Sequence, residues 1–301
     1  MRALVMGAGS IGSLFAAFLA RQGWRVAIVA RRPHVEAVRA GGLRVEGPLG
    51  SFTVKVEAYE DAGCLREAPD VVLITVKAYD TRQACLQVRR LIELGAVPVC
   101  LQNGLGVEEE ASQALGTRAF RAVTSNGAML SEPGLVRHTG LGETLIGAGH
   151  PALEELASAL SASGLPTRTV EDVRGVVWLK TLINAGINPL GALTGLRNGE
   201  LLEVGWLREL MRRVVEEGRG VALKRGVALS EDPVEATFRV ARATANNKNS
   251  MLQDLERGRR TEVDYINGAI AREAEGLGME APLNRALTML IKAMEGAPWR
   301  G

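Results

Sequence analysis

The 301-residue sequence has only three cysteines, Cys64, Cys85 and Cys100, and three histidines, His34, His138 and His150. Three scattered cysteines make neither a disulfide framework nor a cysteine-rich zinc site, and the default compartment is a reducing cytoplasm. The histidines lack the spacing of a metal site such as HExxH, so no metal is expected. Aromatic residues are 4% of the chain, too few for a base-stacking surface, and a net charge of +2 gives no field for nucleic acid or a membrane surface. Lysine is scarce too: of 36 basic residues only six are Lys, leaving 30 Arg. In a chain that writes positive charge as Arg, each of Lys55, Lys77, Lys180, Lys224, Lys248 and Lys292 is a candidate for work that needs an ammonium.

What is present is a hydrophobic content of 47% with 35 glycines, enough for about two domains with real cores. Residues 3–20 carry no charge, but Gly7, Gly9 and Gly12 interrupt them, which argues against a secretory signal. The three glycines fall at GxGxxG spacing after an apolar strand (3–6), before a helix (11–21) and ahead of a second strand (25–30). In that setting Gly7 makes the turn, Gly9 lets backbone approach a pyrophosphate, and Gly12 allows close helix–strand packing. The backbone of Ala8, Ser10 and Ile11 completes a cradle at the helix start, where free N–H groups face the anion. The second strand ends in Ala30-Arg31-Arg32-Pro33, with no acid to accept a ribose 2′-hydroxyl. Arg31 is therefore assigned to a 2′-phosphate, which favours NADPH over NADH.

Two further apolar strands, 71–76 and 97–101, run into Lys77 and Asn103, and strand carboxyl ends in a parallel sheet are where ligands sit. Residues 43–58 alternate around Gly47-Pro-Leu-Gly50 and predict a hairpin at the sheet's edge. Strands at 118–130 and 135–146 flank Ser125-Asn-Gly-Ala128, a candidate backbone contact for cofactor. After a helix at 151–163 and a short strand at 167–170, the pattern is helical throughout: 175–188, 203–225, 233–257, 262–276 and 282–295. The reading is an α/β chain with an N-terminal Rossmann-type dinucleotide-binding domain, 1–170, followed by an all-helical C-terminal domain, 171–301, with a ligand cleft between them.

The helix carrying Lys180 also carries Asn184 and Asn188, each four residues on and so along one face. Periodicity alone is equally satisfied by the wet side of an amphipathic helix. Exposed stripes elsewhere use Arg and Glu, however, whereas an ammonium with two amides suits a carboxylate or hydroxyls. Asn246, Asn247 and Asn249 concentrate amides inside the 233–257 stretch, and Glu262 opens the next helix as either a dipole-favoured carboxylate or a substrate ligand.

These runs together resemble the ketopantoate reductase (2-dehydropantoate 2-reductase) family over essentially the whole chain. The match rests on Gly7-Ala-Gly9-Ser-Ile-Gly12, Val76-Lys77-Ala78, Gln102-Asn103-Gly104, Lys180-Thr-Leu-Ile-Asn184, Ile187-Asn188-Pro189, Asn198-Gly199-Glu200-Leu201, Ser250-Met251-Leu-Gln-Asp254 and Glu262-Val-Asp-Tyr-Ile-Asn267-Gly268. The resemblance implies NADPH-dependent reduction of ketopantoate to pantoate, on the route to pantothenate and coenzyme A. It makes Lys180 the proton donor to the keto oxygen and Glu262 its partner at substrate or cofactor. It places Asn184, Asn188, Asn198, Asn247 and Ser250 on the substrate, and Lys77, Asn103 and Ala128 beside Arg31 and the glycine loop around NADPH. A homodimer is compatible with this reading. The rival readings are a reductase of another branched 2-oxo acid and a non-catalytic NADPH-binding sensor.

Overall fold

The computed structural model describes residues 1–295, in two compact units: 1–102 with 107–173, and 103–106 with 174 onward. In chain order the first unit holds β1 (Arg2–Met6), α1 (Ser10–Arg21), β2 (Arg25–Val29), α2 (Arg32–Gly41), β3 (Leu43–Glu46), β4 (Phe52–Val54) and β5 (Glu57–Tyr59). It continues with β6 (Val71–Ile74), α3 (Thr81–Glu93), β7 (Val97–Cys100), α4 (Val107–Leu115), β8 (Phe120–Thr124) and β9 (Gly127–Glu132). The last elements are β10 (Leu135–Gly140), β11 (Thr144–Gly147), α5 (Pro151–Ala162) and β12 (Thr167–Val170). The main sheet runs β5-β2-β1-β6-β7-β8-β11-β12, parallel except where β11 returns against β8. Its central strands β1, β6 and β7 read as continuous apolar runs because helices or a second sheet cover both faces.

That second sheet, β4-β3-β10-β9, differs from the sequence reading. Residues 43–54 do form a hairpin, but it pairs through β3 with β10, and only β5 joins the main sheet, beside β2. Helix α1 touches β1 and β2 of the main sheet and every strand of the small one. Residues Gly12 to Leu19 are buried all the way round, including Leu14, Phe15, Phe18 and Leu19. A helix between two sheets has no wet face, which is why this stretch carries no charge.

The second unit is helical: α6 (Val173–Thr194), α7 (Glu200–Glu203), α8 (Gly205–Lys224), α9 (Pro233–Ala243), α10 (Ser250–Glu256), α11 (Asn267–Glu275) and α12 (Pro282–Glu295). Several boundaries depart from the sequence expectation, among them the 262–276 helix, which Glu262 does not open because α11 starts only at Asn267. The 233–257 helix is broken at 244–249, where Asn249 instead caps α10, its Oδ1 accepting from the Leu252 N–H at 3.0 Å. Helix α6 does not stop at Pro189 but runs through it to Thr194. Proline there leaves the Ala185 carbonyl without its helical donor, and the Asn267 side chain supplies one at 3.1 Å. Among the described residues no helix is long and apolar enough to cross a membrane.

Candidate active site

In the first unit the glycine loop leaves β1 with Gly7 at φ +92°, and a Cβ there would run into the backbone and side chain of Val76. The N–H groups of Gly7 and Ala8 both bond the Val29 carbonyl, at 3.0 and 2.8 Å, so the loop is tied to the end of β2. Thr75 donates to the Gly7 carbonyl at 2.9 Å. A Cβ on Gly9 would meet nothing nearer than 3.9 Å, so protein packing leaves space in front of this peptide. Helix α1 begins at Gly9 with no side-chain cap and no acid in its first turn. Uncapped donors facing open space fit a diphosphate. Ser10 has a structural role besides, since its hydroxyl accepts from the Leu130 N–H at 3.0 Å and ties the helix start to β9, which carries Ala128.

Arg31 is exposed at the N-cap position of α2, directly after β2. Its neighbour Arg32 is engaged by Glu36 at 2.7 Å, whereas Arg31 has no carboxylate partner among the described residues. The sequence did not reveal how this corner is braced. His34 is 5% exposed; its Nδ1 accepts from the Gly134 N–H at 3.0 Å, so Nε2 carries the proton towards Ser13 Oγ at 3.1 Å. Ser13 in turn donates to the Ala8 carbonyl at 3.3 Å, linking α2 to the glycine loop. His138, also buried, bonds Asn126, whose amide donates to the Gly142 carbonyl at 2.8 Å and holds the 125–128 segment in shape.

Burial lowers the pKa of both His34 and His138, because it disfavours the imidazolium. The unfolded chain takes up these protons near the ordinary value of about 6.5, ahead of the folded chain. The stabilisation from neutral imidazole is thus full above that pH and lost as pH falls. The melting temperature is expected to drop between pH 7.5 and 5.5, and a His34→Gln/His138→Gln variant should show a shallower drop. An equal drop in the variant would rule these two groups out as its source.

Lys77 follows β6 at the carboxyl end of its strand, opening a short 3₁₀ turn. After β7, Arg121 on β8 donates to the Gln102 carbonyl at 2.6 Å and approaches Glu108 at 3.7 Å, so one buried guanidinium holds both stems of the 103–106 loop. The loop itself packs with the helical unit, which the sequence did not show. Gly104, at φ +91°, lies against Tyr265, where a Cβ would strike the Tyr265 carbonyl, and Leu105 donates to that carbonyl at 2.8 Å. This docking delivers Asn103, whose Nδ2 donates to Glu262 Oε2 at 3.2 Å. Glu262 is 6% exposed and precedes the single 3₁₀ turn Val263–Tyr265, with α11 beginning only at Asn267.

In the same unit Lys180, Asn184 and Asn188 follow one another along α6, the first two half-buried and Asn188 buried. Asn198 is brought to the broken 244–249 stretch by its N–H, which donates to the Asn247 carbonyl at 3.1 Å, and by its amide, which donates to Thr244 at 2.9 Å. The buried Oδ1 of Asn198 has no acceptor role filled among the described residues. Asn247 and Ser250 are exposed, Ser250 at the start of α10. Among the described residues no group of His, Cys, Asp or Glu is arranged to hold a metal ion. An ammonium, a buried carboxylate with an amide on it, and a stripe of amides can bind a small polar acid and pass it a proton.

Residues 3–151 match the family model described as ketopantoate reductase PanE/ApbA, and residues 172–295 its C-terminal counterpart. The chain belongs to the ketopantoate reductase family. It is 36% identical over 299 residues to the 2-dehydropantoate 2-reductase of Pyrococcus abyssi, covering 98% of both chains. Among solved structures it is similar to a PanE/ApbA family ketopantoate reductase from Ralstonia eutropha JMP134, with a TM-score of 0.92, 36% identity and 98% and 99% of the two chains covered. It is also similar to a D-mandelate dehydrogenase in ternary complex with NADH and anilino(oxo)acetate, with a TM-score of 0.90, 25% identity and 99% of each chain covered. The matches span both units, so the family assignment covers the glycine-rich loop and the Lys180 helix alike.

Proposed function

We propose that this chain reduces 2-dehydropantoate to pantoate with NADPH, in the supply of pantothenate and coenzyme A. The observation that carries the reading is a buried Glu262, bound by Asn103, in the same unit as the Lys180–Asn184–Asn188 stripe. The family's full-length relatives that act on 2-dehydropantoate support it. The first unit takes the nucleotide: Gly7 to Gly12 on the diphosphate, Arg31 on the 2′-phosphate, with Lys77 and Ala128 beside them. When bound, the nicotinamide supplies a hydride for the keto carbon. Lys180 meets the negative charge that develops on the keto oxygen and provides its proton. Asn184, Asn188, Asn198, Asn247 and Ser250 hold the carboxylate and hydroxyl of the acid, and Asn103 with Glu262 fixes the polar end of the site.

The test is NADPH oxidation on a panel of 2-oxo acids, with 2-dehydropantoate expected to give the highest kcat/KM. A higher value for an aryl 2-oxo acid would move the assignment towards the mandelate-type reading that the D-mandelate dehydrogenase likeness raises. Arg31→Ala is expected to weaken NADPH by about 10–100-fold, the worth of a charge-assisted contact, and to leave NADH within about twofold. Fluorescence titration with the two nucleotides reads this directly. Equal losses for both, or none, would remove Arg31 from the 2′-phosphate.

A further inference from the structure

We propose that Asn267 is a positioning residue that clamps the helix bearing Lys180 to the segment bearing Glu262, using the carbonyl that Pro189 sets free. The inference rests on the reading of Lys180, Asn184, Asn188 and Glu262 as the keto-acid site. A proline at position 189 has no N–H for the carbonyl four residues back, at Ala185, the residue directly after Asn184. Such a carbonyl, buried inside a helix, loses a hydrogen bond unless another donor reaches it. The donor here is the Asn267 amide, at 3.1 Å. The same Nδ2 donates to Asn284 Oδ1 at 3.0 Å, and both asparagines are wholly buried. Asn284 in turn donates to the Val214 carbonyl at 3.1 Å and to Glu217 at 2.9 Å, so the anchor reaches α8.

The placement matters because Asn267 lies five residues after Glu262, across one turn whose N–H groups at Tyr265 and Ile266 bond the Glu262 carbonyl at 2.9 and 3.1 Å. One amide therefore fixes two elements to each other: the α6 face with its ammonium and amides, and the segment with its carboxylate. In a regular helix a side chain can only share a carbonyl that already accepts the N–H four residues on, whereas Pro189 leaves the Ala185 carbonyl without that donor. The proline creates the docking point.

The test is a double-mutant cycle. Asn267→Leu keeps the shape and removes the donor, and Pro189→Ala returns a backbone N–H to the Ala185 carbonyl. Asn267→Leu is expected to lower kcat/KM for 2-dehydropantoate roughly 10–100-fold, the scale of an ångström-sized misplacement, with the NADPH dissociation constant within about twofold. Its melting temperature should fall by about 5 °C. Adding Pro189→Ala should recover much of the melting temperature but not kcat/KM, because the Ala185 carbonyl regains a donor while the link to the Glu262 segment stays broken. A double variant that regains wild-type kcat/KM would make Asn267 a mere partner for the Ala185 carbonyl and overturn the proposal, as would a melting temperature no better than that of Asn267→Leu, or wild-type kcat/KM in Asn267→Leu itself. If the wild-type chain does not reduce 2-dehydropantoate, the functional reading fails. The clamp is then decided by the thermal cycle: non-additive melting temperatures support it and additive ones overturn it.

Discussion

Lys180→Ala is expected to cut kcat for 2-dehydropantoate by roughly 10²–10⁴-fold, the range for a lost general acid, while NADPH binds as before. The asymmetry follows from the division of labour. The glycine loop and Arg31 belong to the first unit and Lys180 to the second, so on the proposed reading removing the ammonium leaves the nucleotide's contacts intact. On that reading the substitution takes away charge where reduction puts an electron pair on oxygen, and alanine keeps the helix. Pre-steady-state absorbance of the reduced nicotinamide, with nucleotide affinity measured alongside, checks both halves. Turnover within tenfold of wild type would place the proton elsewhere.

Glu262→Gln is expected to lower kcat/KM by about 10²-fold, with Asn103→Ala costing nearer tenfold. Glutamine can still accept the Asn103 amide through its oxygen, so this variant removes charge and keeps the hydrogen bond. Asn103→Ala does the reverse, leaving the carboxylate and removing its donor. If charge is what the site uses, the glutamine variant is the worse of the two. The opposite ranking would make Glu262 an acceptor whose task is to hold the 103–106 loop. Steady-state kinetics on the two variants side by side decide between these roles.

How much of this was legible beforehand varies with the range of the interaction. The β1–α1–β2 passage reads directly, because glycine spacing, apolar runs and strand length are local properties. The hairpin at 43–54 was legible as a hairpin but not as part of a second sheet, since alternation records a buried face and not which neighbour buries it. The density of amides at 244–249 was legible but the break was not, since the stretch reads as one helix until Asn249 is seen to cap α10. Pro189 reads as a stop because its missing donor is local, whereas the replacement comes from Asn267, 82 residues along the chain from Ala185.

By itself, then, the sequence determined the two-part α/β and helical build, the glycine-rich turn between β1 and α1, and the alignment of Lys180, Asn184 and Asn188 along one helix, because each is encoded in spacing along one element. Only the tertiary structure decided that Arg32 is engaged by Glu36, that the 103–106 loop packs with the helical unit, and that Asn103 meets Glu262. Those choices depend on which distant groups satisfy a buried donor or acceptor, and partner choice of that kind is set by packing in three dimensions.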